Sequence, residues 1–235
     1  MGEGHEFRWG GMAGIGAIVL AIVAFLIMGS PPTIMDSPGS IAAFLSDHRN
    51  QILTGALLYA IAIVLALWFG AALATAFRRA DQTSDASAVV LAGYILVGAV
   101  GFIAISAVAG MTYAMTAHPD LLRFAVIPFT AVTVVGTVAG IAVALPMGAS
   151  AVAIARTHVF PVWMAWFAGL VALVRVLAPF SMIGTGSTFV PGSVFVSYLP
   201  GALAGLWVLT ASGLLIREHL PVITARTAPP VVGHA

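Results

Sequence analysis

Six long apolar runs, at 11–29, 51–77, 88–117, 124–155, 162–183 and 194–216, constrain this 235-residue sequence more than any other feature. At a rise of 1.5 Å per residue, about 20 residues of helix cross the hydrocarbon of a bilayer. In lipid, backbone N–H and C=O groups have to be satisfied within the protein, so runs of this length read as transmembrane α-helices. Composition agrees. The chain is 61% hydrophobic and 7% charged, against roughly 25% charged in an ordinary soluble domain. A globule of this size has no core large enough to hide so much apolar surface. The expected fold is all-α: a polytopic six-transmembrane-helix bundle over 1–220, with a disordered cytoplasmic tail over the proline-containing 221–235.

The connections carry their own signals. The first run is longer than a usual signal-peptide h-region and no A-x-A site follows it, so it is expected to stay as an uncleaved first helix. Ser30-Pro31-Pro32 ends that helix. Ile41, Phe44 and Leu45 then share one helical face before Ser46-Asp47-His48-Arg49-Asn50, which reads as a short amphipathic helix on the outer surface. Arginine placement sets the orientation. With the N-terminus inside, Arg8, Arg78, Arg79, Arg156, Arg217 and Arg226 are cytoplasmic, and Arg49 and Arg123 are outside. Cytoplasmic flanks are the basic ones, so both termini are expected on the cytoplasmic side. Trp9, Trp68, Trp163 and Trp207 fall near predicted span ends, as belt residues do.

The charge content excludes several classes. A net charge of +1 gives no basic face for nucleic acid. The chain has no Cys, so thiolate chemistry, disulfides and Cys-ligated clusters are excluded. There is no P-loop, G-x-S-x-G, H-E-x-x-H or dinucleotide fingerprint. No span carries the carboxylates expected of an ion-coupled carrier.

Arg175 is the anomaly. It lies inside the fifth run, in Leu173-Val174-Arg175-Val176-Leu177. A cation at such depth costs about 2.5–3.5 kcal/mol on insertion scales. No predicted span contains an acidic partner. The expected partners are a carbonyl, a hydroxyl, water, an anionic ligand, or Asp36, Asp47 or Asp120 reaching in from outer loops. An Arg that snorkels outward or pairs structurally is the plainer alternative. Asp36, Asp47, His48, Arg49, His118, Asp120 and Arg123 are all placed on the outer face, without the spacing of a metal site. The histidines lie at span edges, whereas a bis-His haem requires them inward-facing at matched depth. No cofactor is expected.

Small residues recur every four positions. Gly136, Gly140, Ala144 and Gly148 form one stripe, Gly201, Gly205 and Gly213 another, and Gly10 and Gly14 a third. Such spacing lets helices approach closely, within the bundle or between copies. Pro128, Pro146 and Pro200 disrupt helical hydrogen bonds. The apolar segment around Phe189-Val190-Pro191-Gly192 is either a plain connection or a cover over a cavity.

The stretch from Pro31 to Arg79 carries Pro31-Pro32, Pro38, Ile41, Phe44, Asn50, Gly55, Leu58, Leu67-Trp68-Phe69, Leu73 and Arg78. In these residues it resembles uncharacterised actinobacterial six-span integral membrane proteins. The resemblance implies six helices and a bacterial plasma membrane, and brings no catalytic residues. The functional expectation is a non-enzymatic protein that binds or helps transport a lipid or apolar anion near Arg175. The alternatives are an accessory subunit of a larger membrane complex and a haem or other redox protein. Expected partners are membrane lipids and a homo-oligomer or membrane-complex partner, with no nucleic acid.

Overall fold

The structure, a computed structural model, describes residues 3–183 and 189–217, and the side chains from residue 7 onward. The expected tail at 221–235 lies outside the described residues, as does the connection at 184–188. Among the described residues, six helices are long and apolar enough to cross a membrane, and the protein is an all-α, multi-pass membrane bundle. The spans are α1 (Glu3–Met28), α3 (Arg49–Ala80), α4 (Ala86–Ala117), α5 (Val126–Thr157), α6 (Val162–Leu177) and α7 (Leu199–Ile216). α6 is prolonged by a 3₁₀ turn, Ala178–Met182, and α7 is preceded by a π-helical turn, Val194–Tyr198. The short α2 (Pro38–Asp47) lies between α1 and α3. Regular helix extends beyond the apolar runs at several ends because polar residues there continue the hydrogen-bond ladder outside the hydrocarbon.

Neighbours in sequence are neighbours in space. α1 packs on α3, α3 on α4, α4 on α5 and α5 on α6, and α7 closes the ring between α6 and α1. Glycines permit this closeness by accepting a large side chain from the next helix. Gly14 of α1 accepts Phe69 of α3; Gly70 of α3 accepts the Tyr94 ring of α4. Gly93 of α4 accepts the Pro146 ring of α5, whose Cδ would lie 2.6 Å from an added Cβ. Pro146 leaves a helical carbonyl without its N–H donor, and its ring is housed by the residue with no side chain.

The two halves of the ring are filled differently. Toward the α3–α4 connection, Phe69, Phe77, Met147, Ile154, Met164, Trp207 and Leu215 form a closed core. Trp207 is fully buried and donates from Nε1 to the Met164 carbonyl at 3.2 Å, joining α7 to α6. This corrects its reading as a belt residue. Trp9, Trp68 and Trp163 are exposed. A fully buried indole N–H requires an acceptor, and this carbonyl supplies it.

At the other end, α2 closes the bundle. The Ser37 hydroxyl caps it by accepting from Ser40 N at 3.2 Å, and Pro38 takes the first turn, where its missing N–H has no cost. Ile41 and Leu45 are buried against Ile52, Met115, Ala125 and Phe129. The apolar face foreseen for the membrane surface is turned onto protein.

Gly93→Leu should lower the stability of detergent-solubilised protein by roughly 1–3 kcal/mol through overpacking against Pro146. Gly148→Ala, where an added Cβ meets nothing within 4 Å, should stay within about 0.5 kcal/mol. Thermal unfolding of the two variants checks the pair.

Candidate functional site

Between the closed core and α2 lies a cavity of about 350 Å³. α1 contributes Phe25 and Met28, α2 contributes Phe44 and Leu45, and α3 contributes Ile52 and Tyr59. α4 and α5 complete the wall with Val108, Met111 and the stretch from Phe129 to Gly140. The π-helical turn adds Val196, Ser197 and Tyr198, and Gly192, at φ +86°, turns the chain into it. The segment after the fifth span therefore contributes wall to a cavity.

Arg175 enters this space from α6. Its guanidinium lies in a slot left by two glycines of neighbouring helices. A Cβ at Gly140 would lie 3.7 Å from Nη1, and one at Gly201 3.8 Å from Nη2. Among the described residues the guanidinium makes no hydrogen bond or ion pair, and its buried Nε has no acceptor. A buried donor left unmade costs about 1–3 kcal/mol, and more when charged.

The hydroxyls around it differ in what they offer. Thr133 donates to the Phe129 carbonyl and Thr137 to the Thr133 carbonyl, each at 2.9 Å. Both have used their hydrogens on backbone and face the cavity as acceptors. Tyr59 and Tyr198 line it with phenols, and Tyr198 is held by an edge contact with Phe25 at 5.4 Å.

The other residues singled out in the sequence are elsewhere. Asp36 is exposed and accepts from Thr33 N at 2.6 Å in the turn before α2. Asp47 is exposed beside Ser46. His118, Asp120 and Arg123 are exposed around the 3₁₀ turn Pro119–Phe124, where Arg123 lies over the Phe124 ring. None of the three aspartates reaches Arg175, and none of these residues lines the cavity. His48 stacks on Phe44 at 5.0 Å. Arg49 donates to Thr116 Oγ1 at 3.0 Å and lies over the Tyr113 ring, linking the start of α3 to the end of α4. Among the described residues, no histidine lines the cavity. Among the described residues, no three His, Asp or Glu side chains converge.

The glycine stripes separate by role. Gly140 and Gly201 flank the guanidinium, and Gly205 meets Ile18 of α1 at 3.8 Å. An added Cβ at Gly136 or Gly148 would meet nothing within 4 Å; Gly136 faces the cavity instead of a helix.

At the far end, the α3–α4 connection forms a shallow polar groove with Arg78, Arg79 and Asp85. Asp81 there accepts from the Thr83 hydroxyl at 2.7 Å and its amide at 3.0 Å, which hold its carboxyl below the usual range.

No protein-family model, curated protein or solved structure matches this chain.

Removing the Arg49 link should loosen the end of the bundle that covers the cavity. Arg49→Ala is expected to lower stability by about 1 kcal/mol. It should also speed amide hydrogen exchange in α2 and the last turns of α4 more than in the closed core, measured by mass spectrometry.

Proposed function

We propose that this protein binds an apolar compound bearing a negative charge in the cavity at Arg175, and that binding there serves its storage or passage within the membrane. The observation that carries the reading is one cation, without a partner among the described residues, facing a cavity with mostly apolar walls. A buried charge is stabilised by a counter-charge or by hydrogen bonds. The described part of the chain brings neither to this guanidinium, so a ligand is the natural source. The arginine distribution supports both termini being cytoplasmic, and the resemblance of the 31–79 stretch supports a bacterial plasma membrane. In that orientation α2 and the cavity are on the outer side.

An accessory role in a larger complex calls for a continuous face of unpaired glycines. Gly110, Gly148, Gly169 and Gly213 meet nothing within 4 Å, but they are spread over four helices. They supply no such face.

Arg175→Leu and Arg175→Lys test the proposal in purified protein. Arg175→Leu should be at least as stable as the parent without ligand, because replacing an uncompensated buried charge by an apolar side chain is neutral or favourable. It should lose co-purifying anionic compounds seen by native mass spectrometry. Arg175→Lys should retain part of the binding, since it keeps the charge but lacks the planar fork. Retention of the same compounds by a stable Arg175→Leu overturns the proposal.

A further inference from the structure

The walls of the cavity narrow the kind of ligand, given the reading of Arg175 as its anion site. We infer that the ligand is a compact monoanion with an apolar body, a carboxylate being the simplest case. Its charge sits deep in the membrane and its apolar body lies beneath α2. That is the reverse of the way a lipid stands in its own leaflet.

The first argument is charge. Arg175 is the one charged residue among those lining the cavity. It matches a single negative charge. A second charge, as on a phosphomonoester, would sit in apolar walls without a counter-ion, which is strongly unfavourable. A zwitterion is disfavoured as well, because among the described residues no Asp or Glu lines the cavity to meet an ammonium. A carboxylate also suits the planar donor fork of an arginine.

The second argument is size. A volume of about 350 Å³ stands at the low end of cavities that hold drug-sized molecules. It accommodates a short chain or a ring system, not a two-chain lipid.

The third argument is depth. Gly140, beside the guanidinium, is 14 residues into α5, about 21 Å along the helix from the α2 end. Arg175 itself is seven residues before the end of its span at Met182, the last part of it a 3₁₀ turn, about 12 Å along the axis. Beyond the guanidinium the ring is closed by Phe69, Met147 and Trp207, so an apolar body cannot extend farther inward. The shallow wall is mostly apolar, with Pro32, Phe44, Leu45, Ile52 and Phe129, and its polar groups, on Ser197 and Tyr198, are uncharged. The walls thus place the charge at the bottom and mainly hydrocarbon at the top.

Full-length protein in phosphatidylcholine nanodiscs should be titrated with decanoate, decyl phosphate, decanol and a two-chain phosphatidylglycerol at about pH 8. The phosphomonoester is then largely doubly charged. Decanoate is expected to bind at least about tenfold more tightly than each of the others, a difference of about 1.4 kcal/mol. Arg175→Leu should abolish its advantage over decanol. Gly140→Leu, which fills the slot beside the guanidinium without removing its charge, should weaken decanoate binding by a similar factor. This variant also covers the case in which Arg175→Leu does not fold. A photoreactive diazirine at the tail end of decanoate should label peptides containing Phe44–Leu45 or Phe129.

Equal or tighter binding of decyl phosphate overturns the monoanion assignment, and equal binding of phosphatidylglycerol overturns the size limit. Labelling at Met147 or Trp207 overturns the orientation. Each of these outcomes leaves the anion site of the previous section standing. That site falls instead if no anion is preferred over decanol in the parent protein.

Discussion

A guanidinium inside a ring of apolar helices is the interaction on which the arrangement of this bundle turns. Lipid cannot solvate it, and among the described residues no carboxylate lines the cavity around it. Arg175 is accommodated because two helices give up side-chain volume at the same level, at Gly140 on α5 and Gly201 on α7. The space thus opened continues into the cavity under α2. A close-packed interior would leave neither the slot nor the cavity. Toward the α3–α4 connection the interior of the ring is filled instead by Phe69, Met147 and Trp207.

Glycines have two opposed uses in this ring. At Gly14, Gly70 and Gly93 the missing side chain is filled by a bulky neighbour, which brings adjacent helices together without an apolar driving force between them in lipid. At Gly136 the missing side chain is left as open space and enlarges the cavity. Gly14 and Gly136 both belong to four-residue stripes, beside Gly10 and Gly140. Spacing alone therefore does not distinguish a packing glycine from a cavity glycine; what faces it across the interface does.

Much of the architecture was legible in the residues. The six apolar runs found their helices, and Ile41 and Leu45 marked the apolar face of α2, though not the protein that covers it. Arg175 stood out because nothing in its run could pair with it. The rest of the cavity was not legible. Met28, Phe44, Phe129 and Tyr198 come from separated segments, and one apolar residue in an apolar span looks like another. Trp207 showed the same limit from the opposite side. Its distance from a predicted span end suggested a belt, but its face on α7 points into the ring, where Met164 accepts from it.

The sequence by itself determined that this chain crosses a membrane several times as helices. Backbone groups in hydrocarbon have to pair within their own segment, and hydrophobic length reports that directly. It also determined that one of those helices carries a cation. Only the tertiary structure decided which helices are neighbours, that the loop aspartates stay away from Arg175, and that α2 turns its apolar face onto protein. Those outcomes depend on the shapes that meet across each interface, and an apolar pattern along one helix carries no record of the side chains opposite it.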